Sequence, residues 1–96
     1  MLTYIVLCTF TDQGIRAVKE TVNRADAAKE LAGRFGVRMT DIRWTQGQYD
    51  IVTICEAQDE ASIAAYGLAL AGAGNIRMQT MRAFSRDEMR GILGKL

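Results

Sequence analysis

Residues Leu2 to Phe10 are apolar at nearly every position, and Tyr4 to Cys8 run without a break. β-branched and aromatic side chains favour an extended backbone. A strand with two apolar faces belongs at the centre of a sheet, covered on both sides. Side chains alternate along a strand, so Tyr4, Val6, Cys8 and Phe10 look one way and Ile5 and Leu7 the other. Any fold for this chain must bury both rows. The chain has 96 residues, one domain over residues 1–96 by length. A domain this small buries only about 60–65% of its chain surface, so burying both faces calls for help from another subunit.

The periodicities along the chain supply the remaining elements. Thr11-Asp12-Gln13-Gly14 breaks the first strand, and Ile15 to Glu20 reads as a helical turn or an irregular link. Val22, Ala25, Ala28, Leu31, Ala32 and Phe35 recur at helical spacing, predicting a helix from Thr21 to Phe35 that Gly36 ends. Val37 to Thr45 and Tyr49 to Glu56 read as two strands joined at Gln46-Gly47-Gln48, with Gly47 supplying positive φ. Asp59 opens a second helix. Its body, Ala61 to Gly74, carries no charge, which demands burial on more than one side. It is shorter than the roughly 20 apolar residues that span a bilayer. Asn75 to Phe84 is the last strand. Ser85-Arg86-Asp87-Glu88 has the form of a capping box for a short helix ending near Leu93. Strand, helix, strand, strand, helix, strand is the split βαβ pattern of an α+β, ferredoxin-like sandwich. Its four-stranded antiparallel sheet would have order 4-1-3-2 and both helices on one face.

Composition excludes more than it suggests. Twelve Lys and Arg balance eleven Asp and Glu, a net charge of +1, so no global field selects nucleic acid. The chain has no histidine, which removes His-based triads and the histidine-dependent metal and haem sites. No spacing suggests a carboxylate or thiolate metal site, and no cofactor motif is present. Cys8 and Cys55 sit in apolar runs, without a CxxC pair or secretory leader. They read as buried free thiols of a reducing cytoplasm. Gly72-Ala73-Gly74 follows a helix, where carbonyl oxygens rather than N–H groups point at it, so it is a helix-ending turn and not a phosphate cradle.

A ferredoxin-like sheet has one bare face. Parity assigns Ile5, Leu7, Val52, Ile54, Met81 and Ala83 to the helix side, and Tyr4, Cys8, Arg43, Thr45, Tyr49, Thr53, Met78, Thr80 and Arg82 to the bare face; a bulge would flip part of this set. With strand one apolar at both parities, the bare face is an exposed patch that monomers rarely tolerate. The expectation is a face-to-face homodimer or a higher homo-oligomer. Arg43, Thr45, Tyr49, Thr53, Thr80 and Arg82 would gather there, either satisfying one another or lining a small-molecule pocket. Asp12, Trp44 and Asp50 are secondary candidates. Asp12 sits in a loop after a strand, where it would ring a site mouth. Trp44 reads as core or interface. Asp50 reads as an acceptor for backbone N–H groups of the turn rather than a base.

Gly47-Gln48-Tyr49-Asp50, led by Trp44-Thr45, stands with Phe10 to Ile15, Gln79-Thr80, Arg82-Ala83-Phe84 and Glu88-Met89. Together these resemble the GYD domain family of small bacterial proteins, over nearly the whole chain, with Gln48 inserted into the literal triplet. The resemblance implies membership of the dimeric α/β-barrel group, ferredoxin-like and homodimeric, some of whose members are monooxygenases, peroxidases or ligand-sensing regulators. It implies fold and dimer, not activity. Three readings follow. The first is a cytoplasmic homodimer binding a small molecule at the sheet face. The second is a cofactor-independent monooxygenase using Tyr49, Asp50 and Trp44. The third is an assembly module without ligand. Nothing in the sequence names a reaction.

Overall fold

The first strand does become the middle of the sheet. The computed structural model covers residues 1–96. In chain order its elements are β1 (Leu2–Phe10), α1 (Asp12–Arg16), a 3-10 turn (Val18–Glu20), α2 (Thr21–Arg34), β2 (Val37–Trp44), β3 (Ile51–Ala57), α3 (Glu60–Gly72), β4 (Ile76–Ala83) and α4 (Arg86–Leu93). The four strands form one antiparallel sheet in the order β2-β3-β1-β4, which is the expected order read from the other edge. β1 pairs with β3 from Leu2 opposite Ala57 to Cys8 opposite Ile51, and with β4 from Thr3 opposite Ala83 to Phe10 opposite Ile76. An irregularity between Met39 and Asp41 shifts the β2–β3 register.

Caps set where the helices begin. The Asp59 carboxylate accepts from the Ser62 N–H at 2.8 Å, the Ser85 hydroxyl accepts from the Glu88 N–H at 3.1 Å, and Glu88 returns the bond to the Ser85 N–H at 2.9 Å. The unsettled stretch after β1 is helical. The Thr11 hydroxyl accepts from the Gly14 N–H at 3.1 Å and opens α1. The same hydroxyl donates to the Gly74 carbonyl at 2.5 Å, and the Thr11 N–H donates to the Asn75 carbonyl at 3.1 Å. Gly14 lies so close to the chain before β4 that a Cβ there would sit 2.0 Å from the Asn75 oxygen. The two loops approach this closely because residue 14 has no side chain.

α2 and α3 cover one sheet face. Its core joins Tyr4, Val6, Cys8, Ile51 and Cys55 of the sheet to Ala32, Ile63 and Tyr66 of the helices. The Tyr66 hydroxyl donates to the Ala28 carbonyl at 2.6 Å, tying α3 to α2, and its ring meets Phe35 at 6.1 Å between centroids. No helix is long and apolar enough to cross a membrane.

The parity assignment is corrected here. Tyr4, Cys8, Thr53 and Met78 face the helices, and Ile5, Leu7, Val52, Ile54, Met81 and Ala83 are half-buried on the uncovered side. Both rows of β1 are apolar, so β1 carries no orienting signal. The decisive signal lies elsewhere. Arg77 and Gln79 share a face with Met81, and Glu56 shares one with Ile54. Packing that face under helices would strand a charge without water or partner. The charged rows therefore choose the open side and take their apolar neighbours with them.

Candidate functional site

The uncovered sheet face has an apolar centre and a polar rim. Ile5 and Leu7 of β1 lie between Val52 and Ile54 of β3 and Met81 of β4. At the β2 edge, Arg38 meets Glu56 at 2.5 Å and Arg43 meets Asp41 at 2.6 Å. Both pairs are largely exposed and contribute little to stability. Tyr49 closes one end, its hydroxyl donating to the Gln79 side-chain carbonyl at 2.9 Å. Gln79 is on β4, so Tyr49 spans the end of β1 to reach it. An apolar centre with a polar, hydrogen-bonded border is the anatomy of a protein interface.

The structure divides the sequence-derived candidates. Arg43 and Tyr49 are on the open face but do not meet. The Thr45 hydroxyl donates to the Tyr49 carbonyl at 2.6 Å, and the Thr45 N–H to the Asp50 carbonyl at 2.8 Å, so Thr45 closes the hairpin loop. Thr53 is 6% exposed beneath the helices, its hydroxyl 3.8 Å from the Cys55 sulfur. Thr80 also lies on the helix side, and both line a cavity between the layers. Arg82 sits over the rings of Phe84 and Tyr4, at 4.6 and 5.8 Å from their centroids. It donates to the Thr3 and Ala83 carbonyls and pairs with Glu88 at 3.3 Å. Arg82 thus ties α4 to the sheet. Thr53, Thr80 and Arg82 leave the open face because their row carries Tyr4, Val6 and Cys8 under the helices.

The secondary candidates are structural in their contacts. Asp12 begins α1 in the open. The Trp44 indole N–H donates to the Thr21 hydroxyl at 3.0 Å, and the ring, 42% exposed, rests at the start of α2. Asp50 accepts backbone N–H as expected, but from a distant strand: its carboxylate takes the Phe10 N–H at 2.8 Å, while its own N–H donates to the Cys8 carbonyl at 2.8 Å. Asp50 thereby finishes the β1–β3 ladder past its last regular pair. Trp44, Tyr49 and Asp50 do not converge and do not line the cavity. Gln79 is the site residue that the sequence reading missed. Its parity with Arg77 was the available signal.

Cys8 and Cys55 are both free and buried. Burial, with Cys55 close by, pushes the Cys8 thiol up to about 11. Burial also raises Cys55, against a lowering by its hydrogen bond with Thr53. Neither is a ready thiolate at neutral pH.

A second apolar surface projects from the domain. α4 is exposed along its length, with Met89, Ile92 and Leu93 uncovered and Phe84 just before it. The molecule measures 48 × 31 × 17 Å along its principal axes. The backbone N–H of Ser85, followed by Arg82, holds the Glu88 carboxylate below its ordinary range; the capping bonds and Arg82 hold the start of α4, while its body is exposed.

Known proteins agree with this architecture. The sequence profile of the GYD domain family matches residues 4–93. A Thermus thermophilus protein, named glutamine synthetase and cystathionine beta-lyase binding protein, is 37% identical over 84 residues, spanning 86% of this chain and 88% of the relative. The crystal structure of TTHA0845 from the same organism superposes with a TM-score of 0.57 at 20% identity, over 88% of this chain and 95% of that one. That likeness extends to the fold.

Proposed function

This chain belongs to the GYD domain family, and we propose that it is a binding module that assembles before it docks. In this reading the protein is a ferredoxin-like homodimer of the reducing cytoplasm, closed sheet to sheet. It attaches to larger metabolic enzymes of the kind named for its Thermus relative. The observation that carries the reading is the uncovered row Ile5, Leu7, Val52, Ile54 and Met81. A second copy of the same face covers it by twofold symmetry, with the Arg38–Glu56 and Arg43–Asp41 pairs left at the border. Dimerisation occupies the sheet, so the apolar stripe of α4 remains for the enzyme. An amphipathic helix laid in a groove is a common docking mode. Of the polar groups that would have made the sheet face a small-molecule pocket, Thr53, Thr80 and Arg82 are elsewhere and Arg43 and Tyr49 stay apart, which moves the assembly reading ahead of the ligand and monooxygenase readings.

Sedimentation of the purified chain, alone and mixed with glutamine synthetase or cystathionine beta-lyase from the same organism, tests both halves. The expected result is a dimer at micromolar concentration that co-migrates with one or both enzymes. Met89→Lys with Ile92→Lys should abolish co-migration and leave the dimer. A monomer at that concentration would refute the sheet-to-sheet assembly, and no co-migration with either enzyme would refute the docking.

A further inference from the structure

The large apolar side chains left exposed are not scattered. Leu68 stands alone on α3, and most of the others belong to α4 or to the chain ends beside it. The remaining four, Ile15, Val18, Val22 and Trp44, share the opposite end of the sheet. Single exposed apolar residues are ordinary, whereas a cluster marks a contact surface. β1 brings the chain to this end at Phe10, and α1, the 3-10 turn and the start of α2 follow there. Arg24 holds these three together, donating to the Gly14 carbonyl at 3.1 Å and the Ala17 carbonyl at 2.8 Å. Val18 and Val22 are one turn apart and so share a side. The Trp44 indole, bonded to Thr21 at 3.0 Å, is set against the same turn. Ile15 is 51% exposed and Val22 56%, so neither is covered by the chain that bears it.

Charge says what could cover this surface. The ion pairs of the chain are Arg38–Glu56, Arg43–Asp41, Arg82–Glu88 and Arg90–Asp87. Arg16, Lys19 and Arg24, the cations of this corner, take part in none of them. Arg16 follows Ile15 and Lys19 follows Val18, and both cations are exposed. The carboxylates of the corner are Asp12, in the open at the start of α1, and Glu20, which accepts from Asn23 at 2.9 Å. Positive charge is therefore in excess from Thr11 to Arg24. An apolar patch bordered by free cations is complementary to an apolar segment bordered by carboxylates. An anionic bilayer would press on Asp12 and Glu20 as well and be repelled, whereas a protein places its acids singly. A second copy fits poorly. Its exposed helix, α4, lies at the far end, so the contact would run head to tail without closing.

We propose that Ile15, Val18, Val22 and Trp44 form a second docking surface, for an acidic amphipathic segment of another protein, with Arg16 and Lys19 pairing its carboxylates. The length of β1 from Thr3 to Phe10, roughly 23 Å at the usual strand rise, separates it from the end where α4 begins. Trp44 pairs with Ile51, whose row faces the helices, so the surface is also clear of the sheet-to-sheet contact. With α4 at one end and this surface at the other, the chain can hold two proteins at once and bridge them.

Trp44 is the only tryptophan of the chain, so its emission reports on this surface. The probe is a synthetic helical peptide with leucines along one face and glutamates on either side of them. The expected result is a saturable blue shift at one peptide per chain, with at least tenfold weaker binding when lysines replace the glutamates. Val22→Asp, at an exposed position, should keep the wild-type circular dichroism and weaken binding at least tenfold. Arg16→Glu with Lys19→Glu should reverse the preference in favour of the lysine peptide. Met89→Lys with Ile92→Lys should bind the glutamate peptide as wild type does, so a failure of docking at α4 would leave this result standing. Absence of a saturable shift, equal binding of the two peptides, wild-type binding by Val22→Asp, no reversal, or loss of binding in the α4 variant would each overturn the proposal. So would a blue shift on phosphatidylglycerol vesicles alone, which would give the surface to lipid. Growth beyond the dimer in sedimentation, abolished by Val22→Asp, would give it to a second copy and overturn the proposal too.

Discussion

Val6 and Leu7 are neighbours in β1, similar in size and equally apolar, yet they meet different surroundings. Val6 is buried beneath α2 and α3, in a core that this chain supplies. Leu7 is half-buried and faces no element of its own chain. The covered face is completed by local chemistry, since the helices bring Ala32, Ile63 and Tyr66 to it and cross-link through the Tyr66 hydroxyl. The open face has only its own strands and a polar border. One face is closed by the fold and the other is left open, in side chains of the same kind. Hydrophobicity along a strand therefore specifies burial, and only the charges beside it specify burial by what.

The sharpest way to break this comparison is to place one charge on each neighbour. Val6→Lys should unfold the domain, a loss of about 4 kcal/mol or more, because an unpaired ammonium would be desolvated in the core. Leu7→Lys should leave the monomer folded and weaken self-association at least 100-fold, about 2.7 kcal/mol. Denaturant titration beside sedimentation separates the two. If Leu7→Lys unfolds the chain and Val6→Lys does not, the faces have been assigned the wrong way round.

The covered face should also respond to alkali. Cys8 titrates near 11 in the folded protein against 9.0 for an ordinary thiol, through burial first and Cys55 second. A raised thiol favours the protonated folded state, so its contribution is complete below pH 9 and is lost as pH rises from about 9 to 11. The full loss is about 2–3 kcal/mol. Cys8→Ala should flatten the slope of stability against pH over that interval. Labelling by a thiol reagent at neutral pH should be slow until denaturant is added.

At the junction of the two faces, Asp50→Ala should cost about 1–3 kcal/mol, because the Phe10 N–H loses its acceptor. Asp50→Asn should cost about 1 kcal/mol or less, an amide oxygen being able to take the same bond. Equal losses for the two variants would mean that charge, not the acceptor, is what the position needs. The smallest effect belongs to Tyr4, 4% exposed with a hydroxyl that has no hydrogen-bond partner. Tyr4→Phe should stabilise by up to about 1 kcal/mol, since it removes an unsatisfied polar atom.

The elements and their order were legible because each has a strong local signal. The Leu2–Phe10 run, the Ala-rich helical spacing, the capping residues Asp59 and Ser85, and the glycines at 36 and 47 all act within a few residues of themselves. Both glycines do carry positive φ, 69° and 109°. The candidate site was less legible because it depends on a choice between two faces. Reading β1 and β3 alone leaves that choice open, and the reading took the wrong side for Thr53, Thr80 and Arg82. Arg77, Gln79 and Glu56 held the answer, and they lie on strands that looked ordinary in isolation. The role of Asp50 was half legible: acceptance of backbone N–H follows from residue type, but a donor 40 residues away is a property of the assembled sheet.

The placement of β1 bears on when the protein can form at all. β1 is the first strand of the chain, and its neighbours are β3 and β4, so no contact of its ladder is local. The β2–β3 hairpin can zip early and offers β1 one edge once Ala57 is available, but the other edge of β1 stays unpaired until the segment ending at Ala83 is available. Long loop closures of this kind slow folding relative to a helical bundle of the same length. On the ribosome β1 emerges before both of its partners, and its second edge waits for β4. Nascent chains stalled before residue 76 should therefore stay protease-sensitive, and chaperone occupancy should fall once β4 is free to dock.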